Sequence, residues 1–226
     1  MKVAVLGTGM VGRAHAGKLA ELGHEVFIGT NNVSKTLNEK KLNSTNSPAF
    51  KIWLKKHPQI KLTTFAEAAS QGKIVWEALN GAIALEVLKN LKKELNNKIL
   101  IDISNPLDFS KGMPPTLFIS NTDSLGEQIQ RALPKVKVIK TFNTLNASLQ
   151  VNPKLLANGN HDIFISGNDA PAKKTVTEIL KSYGWKHIID LGDITTSRGT
   201  EMMMPFWLRL WGTLKTSNFN YKIVKE

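Results

Sequence analysis

The residues best spaced for chemistry lie near the amino end. Gly7-Thr8-Gly9-Met10-Val11-Gly12 follows the apolar run Val3-Ala4-Val5-Leu6 and opens an amphipathic helical pattern. A strand, a glycine turn and a helix in that order can hold the pyrophosphate of a dinucleotide. Gly7 permits the tight turn. Gly9 lets the backbone approach the phosphates with no Cβ in the way, and Gly12 lets the helix pack close to the strand. The helix, predicted over residues 10–22 and ended by Gly23, aims its free N–H groups and positive dipole end at the anion. The glycine spacing alone is not specific. The strand before it and a second strand from Glu25 to Gly29 after it make the dinucleotide reading the expected one, against a glycine turn with no ligand.

The end of that second strand chooses the cofactor. It reads Gly29-Thr30-Asn31-Asn32-Val33-Ser34-Lys35, and no acid stands between Glu25 and Glu39. An NAD site usually places a carboxylate about 20 residues past the glycines, to accept from the ribose 2′-hydroxyl. Here Thr30, Asn31, Ser34 and Lys35 offer hydroxyl, amide and ammonium donors, which suit a 2′-phosphate by charge-assisted hydrogen bonds. NADP(H) is expected over NAD(H). Taken alone, Lys35 reads as an ordinary surface lysine.

Three further strand ends should face the nicotinamide. Strand patterns run into Ala78-Leu79-Asn80-Gly81, into Ser104-Asn105-Pro106, and into Lys140-Thr141-Phe142-Asn143. In an open parallel sheet, ligands lie beyond the carboxyl ends of the strands. Asn-Gly and Asn-Pro are also plain turn formers, which is the structural alternative.

These residues need strands alternating with helices to position them. Residues 74–79, 99–103 and 136–139 read as strands, and 49–56, 65–71 and 83–95 as helices, with loop chemistry at 43–48. Ser124 and Glu127 have capping-box spacing ahead of a helix stopped by Pro134. Past residue 146 come a strand at 162–166, a helix capped by Asp169 and closed by Gly184, and a strand at 188–191. The expected fold is α/β, a Rossmann-type doubly wound parallel sheet over 1–146 with a small C-terminal α/β extension over 147–226. Met202 to Leu214 is apolar almost all round, so it should be buried or shared with a partner, at a dimer interface or a pocket wall.

Composition closes other routes. The 226 residues include no cysteine, so disulfides and thiolate chemistry are absent. The five histidines lack metal-ligand spacing, and no metal site is expected. Tyr221 and Lys225 spell a dehydrogenase pair but stand at a carboxyl end expected to fray. No acid or base stands out, so no catalytic side chain is assigned. That suits hydride transfer between two cofactor-like rings, where positioning does most of the work. A net charge of +12 reflects scattered lysines on a solvated surface, and no nucleic-acid partner is expected. The 202–214 run is shorter than the roughly 20 residues that span a bilayer, and no signal peptide is seen, so a cytoplasmic protein is expected.

The stretches GTGMVG, GTNN, SNPLDFS (104–110), NTDSLGEQIQRALP (121–134), KTFNTLN (140–146), LGDITTSRGTE (191–201) and WLRLWG (207–212) resemble the NADP oxidoreductases related to the NADPH-dependent reductase of coenzyme F-420. The resemblance implies a Rossmann domain, a small C-terminal domain, a homodimer, and hydride transfer between NADP(H) and a deazaflavin. By position it places Thr8 to Val11 at the pyrophosphate, and Thr30, Asn31 and Lys35 at the 2′-phosphate. Ala78, Leu79 and Thr141 would border the nicotinamide. At position 31 the deazaflavin enzymes tend to carry arginine, and the Trp76–Gly81 run looks more like a side branch of the family. The same module occurs in flavin-coupled metalloreductases, which keeps FMN or FAD open as the acceptor.

Overall fold

The computed structural model describes residues 1–39 and 48–226. Apart from Pro48, the loop expected at 43–48 lies outside the described residues. In chain order, β1 (Lys2–Leu6), α1 (Met10–Glu21), β2 (Glu25–Thr30), α2 (Val33–Asn38), α3 (Phe50–Lys55), β3 (Lys61–Thr64) and α4 (Phe65–Gln71) come first. Then follow β4 (Ile74–Glu77), α5 (Gly81–Asn90), α6 (Lys92–Leu95), β5 (Ile99–Asp102), the short ribbon β6 (Leu107–Asp108) and β7 (Thr116–Leu117), α7 (Leu125–Ala132) and β8 (Lys137–Thr141). Last come α8 (Ala147–Val151), β9 (Asp162–Gly167), α9 (Ala170–Tyr183), β10 (His187–Gly192) and α10 (Ser197–Leu214).

One sheet runs in the order β10-β9-β8-β5-β4-β1-β2-β3. From β3 to β8 every pairing is parallel. β9 runs antiparallel to β8, and β10 parallel to β9. Residue 146 falls between β8 and α8, and the chain beyond it returns two strands to the same sheet. Strand order reverses at β1 and β4, the switch point where a crevice opens beyond the carboxyl ends. Side chains alternate between two buried faces. Val3, Val5, Trp76, Ile101 and Ile139 pack with Leu19, Leu149 and Val176 on one. Leu6, Val75, Leu100 and Val138 pack with Leu88, Leu125 and Ile129 on the other. Both faces are covered, which is why the strands read as continuous apolar runs.

Three expectations change. The helix expected through Leu95 is broken, because Leu91 turns to φ −103°, ψ 14° and separates α5 from α6. α10 begins at Ser197, inside the polar stretch, because Ser197, Thr200 and Glu201 are buried against bonding partners. The tail is held as far as Ile223, whose amide donates to the Asp162 carboxylate. The Asp162 amide donates to the Tyr221 carbonyl at 3.0 Å, Lys222 pairs with the Asp162 carboxylate at 3.3 Å, and Phe219 and Tyr221 pack on Trp207 and its neighbours. Apolar side chains and a buried acid hold the tail where sequence position suggested freedom.

Candidate active site

The ends of β1, β2 and β4 open on a cleft of about 810 Å³. Gly7, Thr8, Gly9, Thr30, Asn31, Ala78, Leu79 and Asn80, all singled out in the sequence, line it. Thr64, Phe65, Ala66, one side of α5 from Ile83 through Glu86 to Asn90, and Leu91 just past it complete the walls and were not anticipated. Sequence could have flagged α5 through Ile83, an apolar residue in its first turn that stays exposed. A separate hollow of about 670 Å³ beside Lys135 and Asp169 lies at the amino end of β8, away from these strand ends.

The glycine turn is built tightly. Gly7 takes φ +119°, and a Cβ there would strike the Ala78 carbonyl. A Cβ on Gly12 would strike the Gly7 carbonyl, so α1 could not sit so close to β1. At Gly9 a Cβ would meet nothing within 4 Å, so the backbone edge stands clear there. α1 starts at Gly9 with no side-chain cap and no acid in its first turn. By contrast α5, α7 and α9 are capped by Asn80, Ser124 and Asp169. The cleft wall stops at Gly9, with Met10, Val11 and the buried Gly12 behind it. The first-turn amides of Met10 and Val11, next to Thr8 and Gly9, fit a pyrophosphate. Arg13, missed from sequence, ties this turn to the next segment. Its Nε donates to the Thr8 carbonyl at 2.8 Å and its Nη1 to the Pro48 carbonyl at 2.7 Å, with its guanidinium 5.0 Å from the Phe50 ring.

At the end of β2, Asn31 is exposed on the cleft, while Thr30 is buried with its hydroxyl 2.8 Å from that of Thr36. Asn32 caps α2 by accepting from the Lys35 amide at 2.8 Å, which orders the exposed turn carrying Ser34 and Lys35. These two stand beside the cleft but not in its wall. No acid stands at this rim, so the donor set fits a 2′-phosphate.

The nicotinamide end divides. Ala78, Leu79 and Asn80 border the cleft, and Gly81 is buried behind them. Ser104, Asn105, Pro106, Thr141 and Asn143 gather at the ends of β5 and β8 but do not line the cleft. Asn105 donates to the Asn143 carbonyl at 2.8 Å, and the Asn143 amide donates back to Asn105 Oδ1 at 2.9 Å. The Thr141 hydroxyl donates to the Phe164 carbonyl at 2.7 Å. Their polar groups tie strands together. Beneath the turns after β4 and β5 lies a buried row of Glu77, Asp102, Lys140 and Glu201, residues far apart in the chain.

Among the residues lining the cleft, Glu86 has the one ionisable side chain. Among the described residues no group of three or more His, Asp or Glu side chains could hold a metal ion. His15 is fully buried, and burial lowers its pKa to about 4, so it is neutral and structural. The cleft can bind and orient, and it offers little for proton transfer.

Fold and cleft together define a Rossmann-type dinucleotide-binding protein. Residues 2–106 match the family model described as NADP oxidoreductase coenzyme F420-dependent. A crystal structure of a candidate F420-dependent NADP reductase from Arthrobacter sp. FB24 is 54% identical, covers 100% of both chains, and superposes with a TM-score of 0.95. The chain belongs to this family of NADP oxidoreductases. The F420-dependent NADP reductase of Methanocaldococcus jannaschii is 33% identical over 148 residues, which are 64% of this chain and 64% of that protein. Rat metalloreductase STEAP3 is 27% identical over 212 residues, 91% of this chain but 38% of that protein. This chain therefore spans under two thirds of the length of both. Among the described residues no helix is long and apolar enough to cross a membrane.

Proposed function

We propose that the protein transfers a hydride between NADP(H) bound along the cleft and a deazaflavin of the F-420 type, with FMN or FAD as the alternative acceptor. The observation that carries this reading is the uncapped, acid-free start of α1, opening on a cleft that Asn31 lines, with the exposed Ser34 and Lys35 beside it. The nicotinamide supplies or takes the hydride when bound. The Thr8–Val11 stretch would hold the pyrophosphate, and the donors at the end of β2 would hold the 2′-phosphate. Ala78 and Leu79, at the end of β4, would border the nicotinamide. No side chain has to move a proton, which agrees with cleft walls whose one ionisable side chain is Glu86.

In this reading the partner is a cofactor-type small molecule. Neither nucleic acid nor membrane is engaged, and the protein acts in the cytoplasm as a homodimer. Mixing the protein with NADPH and a panel of F-420, FMN, FAD and quinones tests it. Loss of the reduced-nicotinamide absorbance with F-420 or a flavin is expected. No oxidation with any acceptor would overturn the reading. The scarcity of titratable groups in the cleft also favours a second reading, a non-catalytic NADP(H) sensor, which predicts tight binding without turnover.

A further inference from the structure

The ends of β4, β5 and β8 carry charges that hydride transfer leaves unused. Glu77 is paired with Asp102, and Asp102 with Lys140, in direct register across the sheet, so the three side chains share one face. Glu201 of α10 joins the row. None of the four is more than 1% exposed. Three acids and one base in a dry interior leave a charge imbalance that burial strongly disfavours.

The hydrogen bonds locate the compensation. Lys140 Nζ uses all three protons, on Asp102 Oδ2 at 3.0 Å, Glu201 Oε1 at 2.9 Å and the Ser104 carbonyl at 2.6 Å. Asp102 Oδ1 accepts from the Ser104 amide at 2.9 Å and its hydroxyl at 2.7 Å. Glu201 also accepts from the amides of Leu125 at 2.8 Å and Gly126 at 3.0 Å, where α7 begins. Glu77 Oε1 accepts from the Leu79 amide at 2.6 Å. Glu77 Oε2 is buried and faces no donor. The group beside it is the Asp102 carboxylate, itself an acceptor. A buried oxygen with an acceptor for a neighbour and no donor in reach is best satisfied by carrying the proton itself. Burial, and then the Asp102 charge, push the Glu77 carboxyl well above the usual range, in the same direction.

We propose that Glu77 is a positioning residue of the cleft and works as a neutral acid. Its O–H donates to Asp102 while its other oxygen holds the Leu79 amide, so the Ala78–Asn80 turn keeps the shape that the nucleotide meets. Asp102 and Lys140 extend the same bonds to Ser104 and to α10, so the turns after β4 and β5 share one anchor. The effect on affinity rests on the NADP(H) reading above.

Glu77→Gln and Glu77→Met in the full chain test this. Glutamine keeps an acceptor for Leu79 and an N–H for Asp102, whereas methionine keeps the length and loses both. The wild-type protein should show a carboxylic-acid C=O infrared band at neutral pH that is missing from Glu77→Gln. Hydrogen exchange at Leu79 should stay near wild type with glutamine and quicken about tenfold with methionine. The NADPH dissociation constant should stay within about twofold with glutamine and rise about tenfold with methionine. No acid band, or a glutamine variant as weak as the methionine one, would overturn the neutral acid. Unchanged exchange and affinity with methionine would overturn positioning. If methionine prevents folding, the infrared band and the glutamine affinity still decide. A wild-type protein that binds no NADPH would sink the cofactor reading, while the infrared and exchange measurements, which use no nucleotide, would still judge Glu77.

Discussion

Asn31 is the residue at which the cofactor preference is most directly tested. It is exposed on the cleft at the end of β2, whereas Thr30 is buried and bonded to Thr36. A carboxylate at position 31 therefore adds charge with little packing cost. Asn31→Asp should weaken NADPH binding at least about tenfold more than NADH binding, because it repels the 2′-phosphate. Calorimetry with both nucleotides measures this, and equal losses would show that the adenosine end lies elsewhere. Residues of this kind are legible in sequence because their chemistry is local: glycines that a turn requires, and a rim without acids. Glu77 was not legible. Its neighbours Asp102, Lys140 and Glu201 come from three other elements, and only the sheet register brings them into contact.

Among the elements, α1, α8 and α9 are joined through one side chain. His15 of α1 lies 2.9 Å from Gln150 Oε1 of α8 and 3.4 Å from the Tyr183 hydroxyl of α9. Burial lowers its pKa from 6.5 to about 4. Between those values the unfolded chain binds the proton and the folded chain does not. Stability therefore falls as pH drops through that window, and the His15 contribution is unaffected above it. From pH 7 to pH 5 the wild-type protein should lose about 2 kcal/mol more than His15→Gln, measured by urea unfolding. A parallel pH profile would show that His15 is protonated in the fold. Element types were mostly readable, since Ser124, Asp169 and Gly184 act within a few residues of their helices. The α5–α6 break and the early start of α10 were not, because packing and buried polar partners decided them.

At the scale of the whole molecule, α10 presents an apolar face to solvent. Met204, Trp207 and Leu208 face inward, while Met202, Phe206, Trp211 and Leu214 stay exposed on the same helix. An apolar face of this kind marks a contact surface, and a two-fold interface is the commonest way to cover one. The proposed homodimer should sediment at twice the chain mass, and the double variant Phe206→Glu with Trp211→Glu should sediment at the chain mass. A wild-type chain that sediments as a monomer would leave this face for another partner.

By itself the sequence determined the strand–glycine turn–helix at the amino end, the alternation of strands and helices, and the acid-free stretch after β2. Each depends on residue type and short spacing. Tertiary structure alone decided that β9 turns antiparallel, that the tail docks on β9, that Asn105 and Asn143 bond each other instead of lining the cleft, and that four distant charges form one buried row. Those outcomes depend on register and burial between segments far apart in the chain, and no short spacing encodes them.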